Sequence, residues 1–340
     1  MGLFGQNEIT GIDVGAGSIK AVRIKPGKRP ALTAAAMIEF PLGSERESVS
    51  ADLRYLLSEK KIGGGNIITQ MPGRDLTIRS LSLPRMPLEE LREAARWEAK
   101  RHISYPLDTA LVEYLITGER RDGAVEKYDI LMVAAEESRV REHLAPFDEA
   151  RIRVSAVDAN ALALRNVFRL RESPGDVNTL VVDIGAGKTE INIFKGGVLR
   201  FSRCLESGGL DMTRAVADAM GTGLPEAEAK LRSLSPAASA NEDQAIDVVR
   251  TRLDGLLMEI RRSVEYYKTT FREKEVERTV LTGGIALMRG IREYFAGSLT
   301  GPVELDEPFN GLSCKDALLA EFGPIAPRFS AAVGLALRKA

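Results

Sequence analysis

Asp13 and Asp183 each end an apolar, β-branched run and each precedes a Gly-Ala-Gly turn, in DVGAGSIK (Asp13 to Lys20) and DIGAGKTE (Asp183 to Glu190). A turn without side-chain bulk lets backbone amides approach a polyanion. A carboxylate beside it suits hydrated Mg2+, which keeps several waters and takes few protein ligands. Lys20 would point from the return strand toward the phosphates. GKT is also how a P-loop ends, but its spacing requires a glycine five places before Gly187, where Val182 stands. The residues after Lys188, TEINIF, continue as a strand rather than a helix, so the P-loop is excluded. A single D-x-G-x-G is a common turn sequence. Two copies in equivalent places, with Thr282-Gly283-Gly284 after a further strand, point instead to phosphate.

The flanks of the two turns repeat as well. EITGIDV, SIKAVRI and ALTAAAMIEF in the first copy answer TLVVDI, KTEINIF and VLRFSRCLE in the second, each trio reading as three antiparallel strands. In the first half, Leu53, Leu56 and Leu57 space a short helix before a buried strand, NIITQMP. In the second, helices over Met212 to Met220 and Pro225 to Leu234 precede a long one from about Glu242 to Lys274. Its apolar stripe runs Ile246, Val249, Leu253, Leu256, Ile260, Val264, Tyr267, Phe271. TVLTGG follows as a strand, then a helix over Ala286 to Phe295. Two similar halves predict a duplicated, two-lobed α/β fold with a cleft between lobes. From Pro87 to about Arg153 a different pattern intervenes: a helix over Glu89 to Arg101, a hairpin about Asp122-Gly123, a helix over Glu136 to Glu149, then RIRVSAV. The first lobe is thus expected over residues 1–86, 154–175 and 326–340, an inserted α-β-β-α-β subdomain over 87–153, and the second lobe over 176–325, its helical part at about 207–270.

The balance of 47 basic and 48 acidic residues argues against nucleic acid or an anionic membrane as partner. Cys204 and Cys314, with His102 and His143, do not make a zinc site or a disulfide framework, and a reducing cytoplasmic compartment fits. No apolar run approaches the roughly 18 residues of a membrane span. The start MGLFGQNEIT lacks a signal pattern, and Gln6 stands where myristoylation expects Ser or Thr. Any membrane role is expected through a partner.

The motifs DVGAGSIK, DIGAGKTE and VLTGGIALMRGI, in that order, resemble phosphate 1, phosphate 2 and adenosine of the actin, sugar kinase and chaperone ATPase superfamily. The insert, with ARWEAKRHISYPLD, VDANALAL, MEIRRSVEYY and FSAAVGLALR, resembles the FtsA/PilM branch, and most closely the PilM family of type IV pilus assembly, over essentially the whole chain. That resemblance implies an actin-like (ribonuclease H-like) fold that binds ATP or ADP with Mg2+. Asp13 and Asp183 would hold the ion through waters, Gly15, Ala16, Gly17, Ser18 and Lys20 would grip the phosphates, and Gly185, Gly187, Lys188 and Thr189 would close from the other lobe. Gly208 and Gly209 would stand against nucleotide, Gly283, Gly284 and Ile285 against the α-phosphate and adenosine, and Glu259 and Arg262 near ribose and adenine. Asp158, in VDANALAL, would act as general base or orient the attacking water. Ala159 replaces the commoner proline there, and hydrolysis is expected to be slow or negligible.

The implied partner is the N-terminal cytoplasmic tail of a PilN-like inner-membrane protein, held between the first lobe and the insert, with TIRSLSL (Thr77 to Leu83) and the Trp97 helix as walls. Links to pilus motor ATPases and self-association belong to the same resemblance, as does a cytoplasmic place at the inner membrane through the partner. An FtsA-like division protein is the nearest alternative, ranked second because the chain stops at GLALRKA, and a small-molecule kinase is the third.

Overall fold

The computed structural model describes residues 8–43, 48–58, 62–63, 65–171, 177–238 and 243–338. The signal and myristoylation readings on residues 1–7, and the expected helix start at Glu242, lie outside them.

Strands β1 (Ile9–Val14), β2 (Ser18–Lys25) and β3 (Ala31–Glu39) form an antiparallel meander. After α1 (Val49–Ser58), β4 (Asn66–Met71) returns parallel to β1. Next come β5 (Leu76–Pro84), α2 (Leu88–Ala99), β6 (Ala110–Asp122), β7 (Val125–Glu136), α3 (Glu137–Glu149) and β8 (Val154–Ala159). Helix α4 (Asn160–Arg171) leads into the second meander, β9 (Asn178–Ile184), β10 (Thr189–Lys195) and β11 (Val198–Leu205). Helices α5 (Gly209–Met220), α6 (Leu224–Ser233) and α7 (Gln244–Phe271) then precede β12 (Arg278–Thr282), which lies parallel to β9. The chain closes with α8 (Ile291–Ala296), β13 (Val303–Leu305), β14 (Ser313–Cys314), α9 (Asp316–Phe322) and α10 (Ser330–Ala336).

Two sheets carry the lobes, in the orders β14-β3-β2-β1-β4-β8 and β11-β10-β9-β12-β13. The run β3-β2-β1-β4 recurs as β11-β10-β9-β12, so the sequence repeat is a structural repeat. The central strands are covered on both faces, which is why Ile12, Leu180, Val181 and Val182 are buried without polar alternation. The stripe on α7 is core, as its spacing predicts, with Ile246, Val249, Leu253, Leu256, Ile260 and Tyr267 in one cluster with β9 and β10.

Three boundaries differ from the sequence reading. TIRSLSL is not a first-lobe strand: β5 pairs with β7 in a separate sheet of order β5-β7-β6, where Leu81 and Leu83 pack with Leu91 and Ala95 of α2. Conversely, the end of the expected insert belongs to the first lobe, since Phe147 of α3, with Ile152, packs in its core beside Ile12, Ile19 and Leu53, while β8 pairs with β4 within the expected segment 154–175. The chain also returns to the first lobe early, since Phe309, Leu312 and Phe322 pack with Val22, Ile24 and Leu32. The helix expected over Ala286 to Phe295 is split into a 3-10 turn (Ile285–Leu287) and α8, because Gly290 takes φ 75° between them.

Gly255 sits exposed inside α7, and a methyl there would meet nothing within 4 Å. Gly255→Ala is therefore expected to stabilise the protein by about 1 kcal/mol through helix propensity alone, read as a rise in the denaturant midpoint at constant m-value.

Candidate functional site

The two hairpins are built alike. Register places Asp13 opposite Lys20 across β1 and β2, and Asp183 opposite Glu190 across β9 and β10. Each tip closes the same way: the Gly15 N–H donates to the Ser18 carbonyl at 3.0 Å and the Gly185 N–H to the Lys188 carbonyl at 2.9 Å. The tips meet reciprocally. A methyl built on Gly17 would lie 3.1 Å from Ala186 Cβ, and one on Gly187 would lie 3.2 Å from Ala16 Cβ, so exchanging the two copies maps one contact onto the other. This pseudo-two-fold meeting turns both aspartate-bearing strand ends into one cleft of about 770 Å3, a volume typical of small-molecule sites. Leu42, Leu210, Leu231 and Met288 give it an apolar side.

Charge in the cleft is arranged asymmetrically. Lys20 Nζ lies 2.5 Å from Asp13 Oδ2, and Lys188 Nζ lies 2.5 Å from Glu190 Oε1. Among the described residues, Asp183 has no lysine or arginine at ion-pair distance and accepts instead from Asn160 Nδ2, at 2.7 Å. Burial, and then the neighbouring Glu190, push its carboxyl up to about 6, with the Asn160 bond and Lys188 opposing. Gln70 serves Asp13 as Asn160 serves Asp183, its Nε2 donating to Asp13 Oδ1 at 2.7 Å. Both amides then present a buried oxygen, Gln70 Oε1 and Asn160 Oδ1, with no hydrogen-bond partner among the described residues. A buried acceptor left unmade is costly, so these oxygens favour a donor in the cleft, such as the water ligands of a metal ion. Two carboxylates plus two acceptors for its waters fit hydrated Mg2+.

A sequence profile of the family described as type IV pilus assembly protein PilM matches residues 11–340. The chain belongs to that family. In structure it is similar to the PilM-PilN type IV pilus biogenesis complex, with a TM-score of 0.84 at 27% identity over 98% of both chains. It also shares its fold with ethanolamine utilization protein EutJ from Carboxydothermus hydrogenoformans, at TM-score 0.57 and 15% identity over 99% of this chain and 91% of that one. In sequence it is similar to cell division protein FtsA from Helicobacter pylori, 29% identical over 200 residues, or 52% of this chain and 40% of the relative. The chain thus spans well under two thirds of that relative's length.

Most residues singled out from the sequence converge. Asp13, Gly15, Ala16, Gly17, Ser18, Lys20, Asp183, Gly185, Gly187, Lys188, Gly209, Gly283, Gly284 and Ile285 all line the cleft. Gly283 holds φ 87°, and a methyl there would lie 2.6 Å from Asp183 Oδ1, so only glycine leaves that strand end open. Gly208 and Thr189 stand one layer behind. A methyl on Gly208 would lie 2.7 Å from the Gly185 carbonyl, and Thr189 Oγ1 donates to the Ser207 carbonyl at 2.8 Å.

Three residues do not join the cleft. Asp158 accepts from the Ala159 N–H and pairs with Arg338 at 3.3 Å, away from the lining; burial raises its carboxyl pKa. The chain turns from β8 into α4 at this point, and the turn delivers Asn160 to the cleft in its place. Glu259 is held by Arg203 at 2.8 Å and by Arg262 at 2.8 Å, and Arg262 lines a different cavity. Among the cleft residues that sequence reasoning misses are the two amides that hold the aspartates, Gln70 and Asn160. Gln70 follows Thr69, which is in register with Ile12, as Thr282 is in register with Asp183. Extending the repeat to the parallel strands would find it.

Proposed function

We propose that this chain is a nucleotide-clamped platform of type IV pilus assembly, binding ATP or ADP with Mg2+ in the cleft and the N-terminal cytoplasmic tail of a PilN-like inner-membrane protein on the insert. The observation that carries the nucleotide half is the matched pair of amides, Gln70 and Asn160, each bonded to one aspartate and each offering an unpartnered buried oxygen. Asp13 and Asp183 would hold the ion through its waters, and the hairpin amides, Ser18 and Lys20 would bind phosphate. Held there, Mg2+ would supply positive charge to offset that of the phosphates. Because the hairpins come from opposite lobes, shared binding energy favours the closed form, and the insert reports it to the partner.

Slow or negligible hydrolysis follows from the same geometry. Asp158 is committed to Arg338, and Asn160 can orient a water but cannot take its proton.

For the tail, the insert offers Leu88 and Trp97 on α2 and Leu111 and Leu115 on the open edge strand β6, all exposed. An extended apolar segment would add to that edge and seat its side chains beside the 63% exposed indole. Trp97 is the chain's single tryptophan and so a native probe. Its emission is expected to shift on titration with a PilN-like tail peptide, more tightly with Mg-ATP present, and Trp97→Ala is expected to weaken capture about tenfold, on the order of 1.4 kcal/mol. Binding of a division-protein tail in preference to every pilus tail would reverse the assignment in favour of the FtsA-like alternative.

A further inference from the structure

Behind the cleft lies a larger cavity, of about 1420 Å3, between the insert and the second lobe. Its walls are two edge strands, β5 and β11, joined where Ser80 Oγ donates to the Arg200 carbonyl at 2.7 Å. Among the described residues, seven arginines line it against four carboxylates. The carboxylates are all engaged: Asp122 with Lys127, Asp129 with Arg120, Glu190 with Lys188 and Glu273 with Lys195. Three of those four partners are lysines outside the lining, so the acids do not offset the arginines that face the cavity. Among the described residues, no carboxylate lies at ion-pair distance from Arg79, Arg200 or Arg272, and Arg200 Nε is buried without a hydrogen-bond partner.

We propose that this cavity is a second binding site, for a small ligand bearing two or more phosphate groups. Guanidinium forks match phosphate oxygens in bidentate geometry, and the three without a carboxylate partner, Arg79, Arg200 and Arg272, concentrate positive potential around one recess, Arg79 being held only to the Ile78 carbonyl. Tyr266, 56% exposed, with its ring centroid 5.8 Å from that of Phe201 and tilted 48° to it, gives the recess an aromatic face as well. Asn160 and Arg74 line both cavities, so the site shares a wall with the nucleotide cleft.

Hydrogen exchange of the whole protein with inorganic tripolyphosphate, without Mg2+, tests this by location. Slowed exchange is expected in residues 76–84 and 198–205, lost at least tenfold in apparent affinity in the double variant R79E/R272E and kept in R79K/R272K. Protection confined to the hairpins at 13–20 and 183–190 would overturn the proposal, because the anion would then occupy only the cleft. So would equal protection by hexaglutamate, since the recess would then read negative charge rather than phosphate. The cleft assignment stands or falls separately, on exchange at those hairpins with Mg-ATP.

Discussion

Asp183→Asn is expected to give a protein that is more stable without ligand and about 100-fold weaker for Mg-ATP. In the free protein the Asp183 carboxylate is buried, faces Glu190 and has a single amide donor, so its ionised form is a cost to folding. The rise from the ordinary 3.8 to about 6 corresponds to ~3 kcal/mol, an order of magnitude that the neutral amide would recover at pH 7. The sign with pH follows. The folded protein holds this proton more tightly than the unfolded chain, so the contribution is fully present below about pH 4 and is lost as pH rises through about 6. Thermal unfolding at pH 5 and pH 8 should therefore separate the wild type from the Asp183→Asn variant at both, by about half as much at pH 5 as at pH 8. Binding runs the other way: cation capture needs the charged form, so Mg-ATP affinity should fall below about pH 6 in the wild type. Loss of a buried carboxylate from an ion's shell is on the order of 3 kcal/mol, hence the factor of about 100. Calorimetric titration checks the second half.

The other large effect is purely steric. A methyl on Gly334 would lie 1.9 Å from the Ala163 carbonyl oxygen, because α10 crosses α4 at backbone contact. A backbone oxygen inside a helix cannot rotate away as a side chain can, so one helix must move. Gly334→Ala is expected to cost ~3 kcal/mol or more, seen as a lowered denaturant midpoint or as insoluble protein. Asn166 Nδ2 donates to the Gly334 carbonyl at 3.0 Å, which fixes the same crossing from the other side. Gly11 makes the matching approach of β1 to α10, where a methyl would sit 2.2 Å from the Ala332 carbonyl. The layer that orients the Asp13 strand thus depends on two glycines remote from the cleft.

The hairpins are legible in the sequence because a repeat is a local signal read twice. Comparing eight residues with eight others finds Asp13 and Asp183, and their strands, turns and shared cleft follow. Membership of β5 is not legible: the alternation of TIRSLSL says strand, but only pairing with β7, some fifty residues on, says which sheet. The connecting helix shows a finer limit. VDANALAL marks the correct crossing between lobes, yet whether Asp158 or Asn160 faces the cleft depends on where β8 ends, and a shift in that end reverses the answer. On α7 the apolar stripe is legible, but periodicity does not say whether the polar surface of a 28-residue helix reaches the cleft, and Glu259 and Arg262 lie away from its lining.

The central claim is that one nucleotide is held from both lobes at once, and hydrogen exchange of wild-type protein on addition of Mg-ATP tests it most directly. The expected result is joint slowing at residues 13–20 and 183–190, absent in Asp183→Asn. Slowing at one hairpin alone, or equal slowing in that variant, would contradict a clamp made by both.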